Sequence, residues 1–536
     1  MYEIDSVADE FDFIVVGAGT AGCVLAARLS EHRQLRVLLL EAGGPDDDPE
    51  LRVPLHSVRQ FGSEVDWRLH TTPQAGLAGR VIDWPRGKVL GGSSTMNFQM
   101  WVPGQPHDFT HWAGAAGPLW SWQRVAPYLR RAERWAGLPE NGITYGDSGP
   151  QWISPPADPD PSTRAFLAGC RAAGLPEIAG GLGHLTAAGC ALTPVTQRGG
   201  RRFSAADAYL RPARERANLV VRTGALVRRI HLDEHDRAVA VEVDGRLLTA
   251  RREIVLCAGA IGSAQLLQLS GIGAGERLAA AGIHPRVELP GVGANLHDHL
   301  IVNLPYAVRG EDRFADIDGA RARAEFERER RGPLTSNIGE AVAFFGDAAA
   351  PDLELIWSPI AVGEQGFVSG RTVSVVLLQP ESRGRLDIVD TDPERIPRLD
   401  PAYLSAPADM TALIRGYRFA DAVMATEPLL ATVGAPLMPL PVTDDGIADF
   451  VRTTATTVFH PVGTCRMGMP DDRLAVVGPT LLVHGVAGLR VADASVIPRI
   501  PRGHTNAHAL MIGERAAALL VGDPARRDAE DGVASR

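Results

Sequence analysis

The chain has 536 residues, more than one ordinary hydrophobic core accommodates, so two domains or interleaved lobes are expected. Its 45% hydrophobic and 22% charged residues are those of a soluble globular protein, and a net charge of −10 without a basic run argues against a nucleic-acid partner. No apolar run reaches the roughly 18–20 residues of a membrane span, so none is expected.

Phe11 to Val16 is an apolar β-run, followed at once by Gly17-Ala18-Gly19-Thr20-Ala21-Gly22. Cys23 to Leu29 has helical composition, and Leu35 to Leu40 is a second β-run ending in Glu41. A GxGxxG between a strand and a helix, with an acid closing the next strand, is a dinucleotide-binding unit. Gly17 permits the tight turn, Gly19 lets backbone approach a pyrophosphate, and Gly22 lets helix and strand pack closely. The helix N-terminus offers free N–H groups to the phosphates, and Glu41 is placed for the ribose hydroxyls of an ADP moiety. Further strands are expected at Asn218 to Val221, Ala225 to Leu232, Ala238 to Val243 and Glu253 to Cys257, with Asp244-Gly245 as a hairpin turn. A helix follows from Ala258. Segments 300–309, 339–345, 352–359 and 371–378 read as an antiparallel sheet. The run Arg321 to Arg331 reads as a solvated helix face, Ala402 to Leu430 as mostly helical, and Ala509 to Leu520 as the closing helix. The tail after Asp523 reads as charged and disordered.

Five scattered cysteines (Cys23, Cys170, Cys190, Cys257, Cys465) show neither CxxC nor metal-ligand spacing, so no disulfide framework and no metal site are expected. They suit a reducing compartment, and the first strand begins about ten residues in, which leaves no room for a signal peptide. The expected location is cytoplasmic.

Several longer segments resemble the glucose-methanol-choline (GMC) flavoprotein oxidoreductases. Arg86 to Asn97 (RGKVLGGSSTMN) is similar to the first signature of that family. Gly259 to Gly273 (GAIGSAQLLQLSGIG) is similar to the second, with Ala264 where proline or serine is usual. Pro290 to Leu300, Phe459 to Gly468 (FHPVGTCRMG) and Val491 to Ala507 (VADASVIPRIPRGHTNA) follow in family order. The resemblance implies an α/β fold: a doubly wound, Rossmann-like FAD-binding lobe and a substrate-binding lobe with an antiparallel sheet flanked by helices. Residues 11–300 would be mainly the FAD lobe with substrate-lobe insertions, and 301–454 mainly the substrate lobe. Residues 455–521 would return to the FAD lobe with the catalytic histidines, and 522–536 would form the tail.

By the same resemblance Gly17, Gly19, Thr20, Ala21, Gly22 and Glu41 would carry the ADP half of FAD. Val89, Gly92 and Asn97 would run along the flavin, Val227 would meet the adenine, and Asp493, Ala494 and Asn506 would lie near the pyrophosphate and ring. Some members attach FAD through a histidine in the glycine-serine turn. Met96 and Asn97 stand there in this chain, so FAD is expected to be non-covalent.

His460 matches the family's catalytic histidine and His504 its second position, where His or Asn occurs. An imidazole exchanges a proton near neutral pH. His460 would accept the alcohol proton while hydride passes to flavin N5, and His504 would orient the hydroxyl and stabilise the developing charge. The implied substrate is a small-molecule alcohol, the product an aldehyde or ketone, and the electron acceptor O2 or another compound. The family's lyase and photodecarboxylase branches are the alternative. The missing leader disfavours the first, and Ser94-Thr95 in place of a cysteine-bearing turn disfavours the second.

Other residues carry bland expectations. His297 and His299 form an HxH pair read as a structural loop rather than a zinc site, and His508 has no assigned role. Arg499 and Arg502 flank the catalytic turn and suit a carboxylate or phosphate, although a solvated loop is the expectation. Phe61, Phe98, Trp101, Trp357 and Phe459 are pocket or core aromatics, with Trp101 and Phe459 favoured for the pocket because they adjoin the matched motifs.

Overall fold

The opening run is apolar from Phe13 to Val16, with no polar face to turn outward, and it lies in the middle of a sheet, as a fully buried parallel strand must. The computed structural model describes residues 10–137, 145–178, 182–183, 188–347, 350–363 and 366–522. The expected tail from Asp523 onward lies outside them.

The first sheet has seven strands, in the order Leu219–Arg222, Val37–Leu40, Glu10–Val16, Arg246–Leu256, Ala238–Val243, Val227–Leu232. Leu219–Arg222, Val37–Leu40, Glu10–Val16 and the end of Arg246–Leu256 run parallel. The long strand Arg246–Leu256 serves two neighbours on its other side. Its first half pairs antiparallel with Ala238–Val243, and its last three residues pair parallel with the seventh strand, Leu489–Val491. Asp244 and Gly245, both at positive φ, form the expected hairpin turn.

Helix Thr20–Leu29 covers this sheet and begins three residues before its expected start. Gly17 sits at φ +97°, and a Cβ on Gly22 would stand 1.9 Å from the Gly17 carbonyl oxygen, so the helix packs against its own turn only because both are glycine. Helix Thr505–Val521 packs beside Thr20–Leu29. The buried Glu514 on it bonds Arg28 and Tyr209 at 2.7–3.1 Å.

The second sheet also has seven strands, all antiparallel, in the order Val433–Pro436, Leu300–Val308, Arg371–Leu377, Leu353–Ser358, Ala341–Phe345, Gly189–Leu192, with Thr456–Thr457 beside the start of Leu300–Val308. The strands expected near 300, 339, 352 and 371 are all present. Helix Pro407–Met424 packs on one face, where Gly416 lets it close on Val375. The other face carries Val342, Phe344, Glu354, Ile356 and Val376, all buried, of which only Glu354 is charged. The alternating-charge segment is a short helix, Ala320–Ala324, continued by one wider turn to Glu329 and tied by an Arg321–Glu325 pair.

All five cysteines are buried and free. No described helix is long and apolar enough to cross a membrane.

Candidate active site

A cavity of about 290 Å3 runs from the Gly17–Ala21 turn to the two histidines. Most residues singled out for the cofactor line it: Gly17, Gly19, Thr20, Ala21, Glu41, Gly92, Asn97, Val227, Asp493, Ala494 and Asn506. Gly22 lies behind, in its packing role. Val89 is fully buried and bridges to Gly44 under the turn, where it supports the wall from behind. A motif fixes that a turn is near, not which of its residues face inward.

The walls interlock through backbone. The Gly91 N–H donates to the Ala18 carbonyl at 2.8 Å, and a Cβ on Gly92 would lie 2.7 Å from the Gly19 Cα. The Glu41 carboxylate accepts from Ala18 N and Gly43 N, both at 2.8 Å, while burial pushes its carboxyl up to about 7. Thr20 Oγ1 donates to Asn506 Oδ1 at 2.8 Å, joining the first turn to the last helix. The Asp493 carboxylate is committed to Gly259 N, Ser263 and Ser495, so it shapes the loop above the fingerprint. Gly19 caps its helix without a side-chain bond, leaving N–H groups pointed at the cavity. A pyrophosphate is the chemistry such a terminus suits, and a dinucleotide fits this donor set.

Sequence distance hides the histidine end of the cavity. Thr456–Thr457, on the second sheet, delivers His460; His504 precedes helix Thr505–Val521, on the first. Their rings meet at 4.9 Å between centroids. Phe459 holds a left-handed φ of 64°, a strained conformation for an aromatic residue. Arg86 NH2 donates to its carbonyl at 2.6 Å and Thr457 Oγ1 accepts from its N–H at 2.6 Å. The buried Asp298 accepts from the His460 N–H at 2.7 Å and from the Thr457 and Tyr403 hydroxyls. Burial raises the Asp298 carboxyl, and these three donors oppose the rise.

Hydrogen-bond bookkeeping assigns the ring protons. His299 Nε2 lies 3.0 Å from the Leu378 carbonyl oxygen, which only accepts, so that nitrogen carries the proton. Neutral His299 then has a bare Nδ1, 3.0 Å from His460 Nδ1. The shared bond needs a proton, so it sits on His460 Nδ1 and His460 Nε2 is bare. Burial and the neighbouring His504 push His299 down to about 3, which keeps it neutral. Burial first, then His504, His299 and Arg86, push His460 well below its ordinary value. His460 is thus an unprotonated base at neutral pH.

His504 Nε2 lies 3.1 Å from Glu354 Oε1 on the second sheet. A carboxylate only accepts, so Nε2 carries a proton and Nδ1 is the atom free for a ligand. Glu354 is fully buried, and its Oε2 has no partner.

Phe61, Phe98 and Phe459 line the cavity and pack together, with centroids 5.1–6.2 Å apart. Trp101 is a correction: it is fully buried, bonded to Glu133, and belongs to the core, as does Trp357, bonded to Ser162. Arg502 is not a solvated loop residue either. It is buried and paired with Asp108 at 2.7 Å, so it braces the turn. Arg499, half-buried, donates through Nε to Gln379. His297 ties Asn295 to Ile500, as a structural loop residue does. His508 stacks on Phe109. Among the described residues no group of His, Cys, Asp or Glu could hold a metal ion.

Glu354, Asp298 and Arg86 were missed as functional residues by the sequence reading. Glu354 leaves one trace, an acid inside the apolar strand LELIWS.

The GMC oxidoreductase family models match residues 11–301 and 380–513. An uncharacterised GMC-type oxidoreductase of Mycobacterium tuberculosis is 43% identical over 529 residues, covering 95% of this chain and 99% of that protein. An alcohol dehydrogenase [acceptor] of Pseudomonas putida is 34% identical, covering 95% and 96%. The crystal structure of pyridoxine 4-oxidase from Mesorbium loti superimposes with a TM-score of 0.85 at 32% identity, covering 95% and 98%.

Proposed function

Because the chain belongs to the GMC oxidoreductase family, we propose that it oxidises a small-molecule alcohol to an aldehyde or ketone with FAD held in the cavity described above. The observation that carries this reading is the bare Nε2 of His460 at the end of a cavity lined by the glycine turn and Glu41. FAD, when bound, supplies the acceptor for the hydride at its N5.

The protein's share of the chemistry is positional and protonic. The Gly17–Ala21 turn, Glu41 and Val227 would hold the ADP half, and Gly92, Asn97, Asp493, Ala494 and Asn506 the rest. His460 Nε2 takes the hydroxyl proton, a role usually worth about 10²–10⁴ in rate. His504, oriented by Glu354 behind it, offers Nδ1 to the substrate oxygen. Phe61, Phe98 and Phe459 present an apolar surface to the remainder of the substrate and exclude water.

FAD would be non-covalent, since Met96 and Asn97 face the cavity where a histidine would be needed for attachment. Purified protein should be yellow and should release its flavin on acid precipitation; flavin that stays with the polypeptide overturns this point. One relative is named a dehydrogenase and one neighbour an oxidase, so the acceptor is proposed only as O2 or another compound. The decisive experiment is an alcohol panel read by anaerobic bleaching of flavin absorbance at about 450 nm, repeated with oxygen while peroxide is measured. No bleaching by any alcohol would turn the reading toward the non-oxidative branches.

A further inference from the structure

Arg202 is 2% exposed, and its guanidinium makes five hydrogen bonds, every one to a neutral acceptor. Nε donates to Leu51 O at 2.9 Å. NH1 donates to Ser94 O at 3.3 Å and to both the carbonyl and side-chain oxygens of Asn97 at 2.6 and 3.0 Å. NH2 donates to Ser57 Oγ at 2.7 Å. The nearby carboxylates are engaged elsewhere: Asp46 and Asp207 pair with Arg52 and Arg211. A buried charge without an ion-pair partner is costly; burial and Arg52 both act against it here, and the more distant Asp207 offsets them only in part. The fold nevertheless keeps it one residue behind the wall formed by Gly92, Ser93, Met96 and Asn97.

From this placement we infer that Arg202 is a positioning residue for the cofactor-facing turn and that its uncompensated charge favours reduction of the bound flavin. The five bonds bind segment 51–57 to segment 94–97, so the wall is shaped before the cofactor arrives. Reduction by hydride adds negative charge to the ring system. A fixed cation in a low-dielectric site stabilises that charge without reorganisation. The inference rests on the FAD reading, which wild-type protein tests separately: a wild-type chain that takes up no FAD refutes that reading, whatever Arg202 does.

The test compares wild-type protein with Arg202→Met and Arg202→Lys after reconstitution with FAD. FAD release is followed by flavin fluorescence and the midpoint potential by anaerobic equilibration with a redox dye. Arg202→Met should release FAD at least tenfold faster and shift the potential to a more negative value. Arg202→Lys, measured at pH 6 so that the buried amine stays protonated, keeps the charge but lacks the planar fork, so it should release FAD faster yet hold a potential near wild type. A purely structural residue would move release and leave the potential alone, and a wild-type potential in Arg202→Met overturns the inference. So does a lysine variant shifted as far as the methionine variant. Should Arg202→Met not fold, Arg202→Gln, which retains polar contact with Asn97 and Ser57, replaces it under the same criteria.

Discussion

The chain of imidazoles makes a quantitative prediction about a residue that touches no substrate. His299 supplies the acceptor for the His460 Nδ1 proton, which leaves Nε2 bare. His299→Leu removes the acceptor. Leaving a buried N–H unpaired costs about 1–3 kcal/mol, which His460 escapes by turning or by moving its proton to Nε2, where it no longer serves as a base. Flavin reduction should therefore slow by roughly 5- to 150-fold in protein that retains FAD. His299→Asn places a carbonyl oxygen near the former Nδ1 and should recover most of the loss. The assay is anaerobic stopped-flow reduction at saturating alcohol, normalised to bound FAD. If His299→Leu reduces at the wild-type rate, or if the asparagine variant is as slow as the leucine variant, the proton assignment is wrong.

Other outcomes follow from the same geometry. His460→Ala should keep near-normal FAD content and reduce roughly 10²–10⁴-fold more slowly; equal loss of FAD would mark it as structural. His504→Asn should outperform His504→Ala in reduction rate, since an amide still donates toward the substrate oxygen; the reverse order would refute the assigned role. Gly22→Ala forces a Cβ to within 1.9 Å of the Gly17 carbonyl, so it should abolish FAD binding, measured by titration of apoprotein. Because His299 is held near 3 against an ordinary 6.5, its burial contributes stability that is full above pH 6.5 and is lost as pH falls toward 3, up to ~5 kcal/mol. Denaturant melts of wild type and His299→Asn should therefore converge on acidification, and a constant gap would contradict a neutral His299.

The parts legible in the sequence were those written locally. Strand, glycine turn, helix and Glu41 lie within one continuous stretch, and each has its own periodicity or turn chemistry, so the first unit was readable residue by residue. The strands of the second sheet were readable as elements because they are short apolar runs. Their pairing was not, and with it went Glu354, whose meaning depends on His504 arriving from another layer. Trp101 shows the opposite error: proximity to a signature suggested the cavity, but side-chain direction in an irregular segment is set by packing. Arg502 looked like a loop cation because its partner, Asp108, is remote in sequence and shows no pattern that names it.

The strand Leu489–Val491 has a consequence for how the protein is made. It lies against Ile254–Leu256, and Cys257 bonds the Ala492 carbonyl across 235 residues of chain. Contacts of such long range form slowly, because loop closure precedes the reward of pairing. Asp493, Ala494, Asn506 and the second histidine all ride on this last insertion, so the cofactor cradle closes only after the segment beyond Leu489 has left the ribosome. Loading with the dinucleotide is then a terminal event of maturation, and chains interrupted short of Leu489 should accumulate colourless even where the fingerprint has already folded.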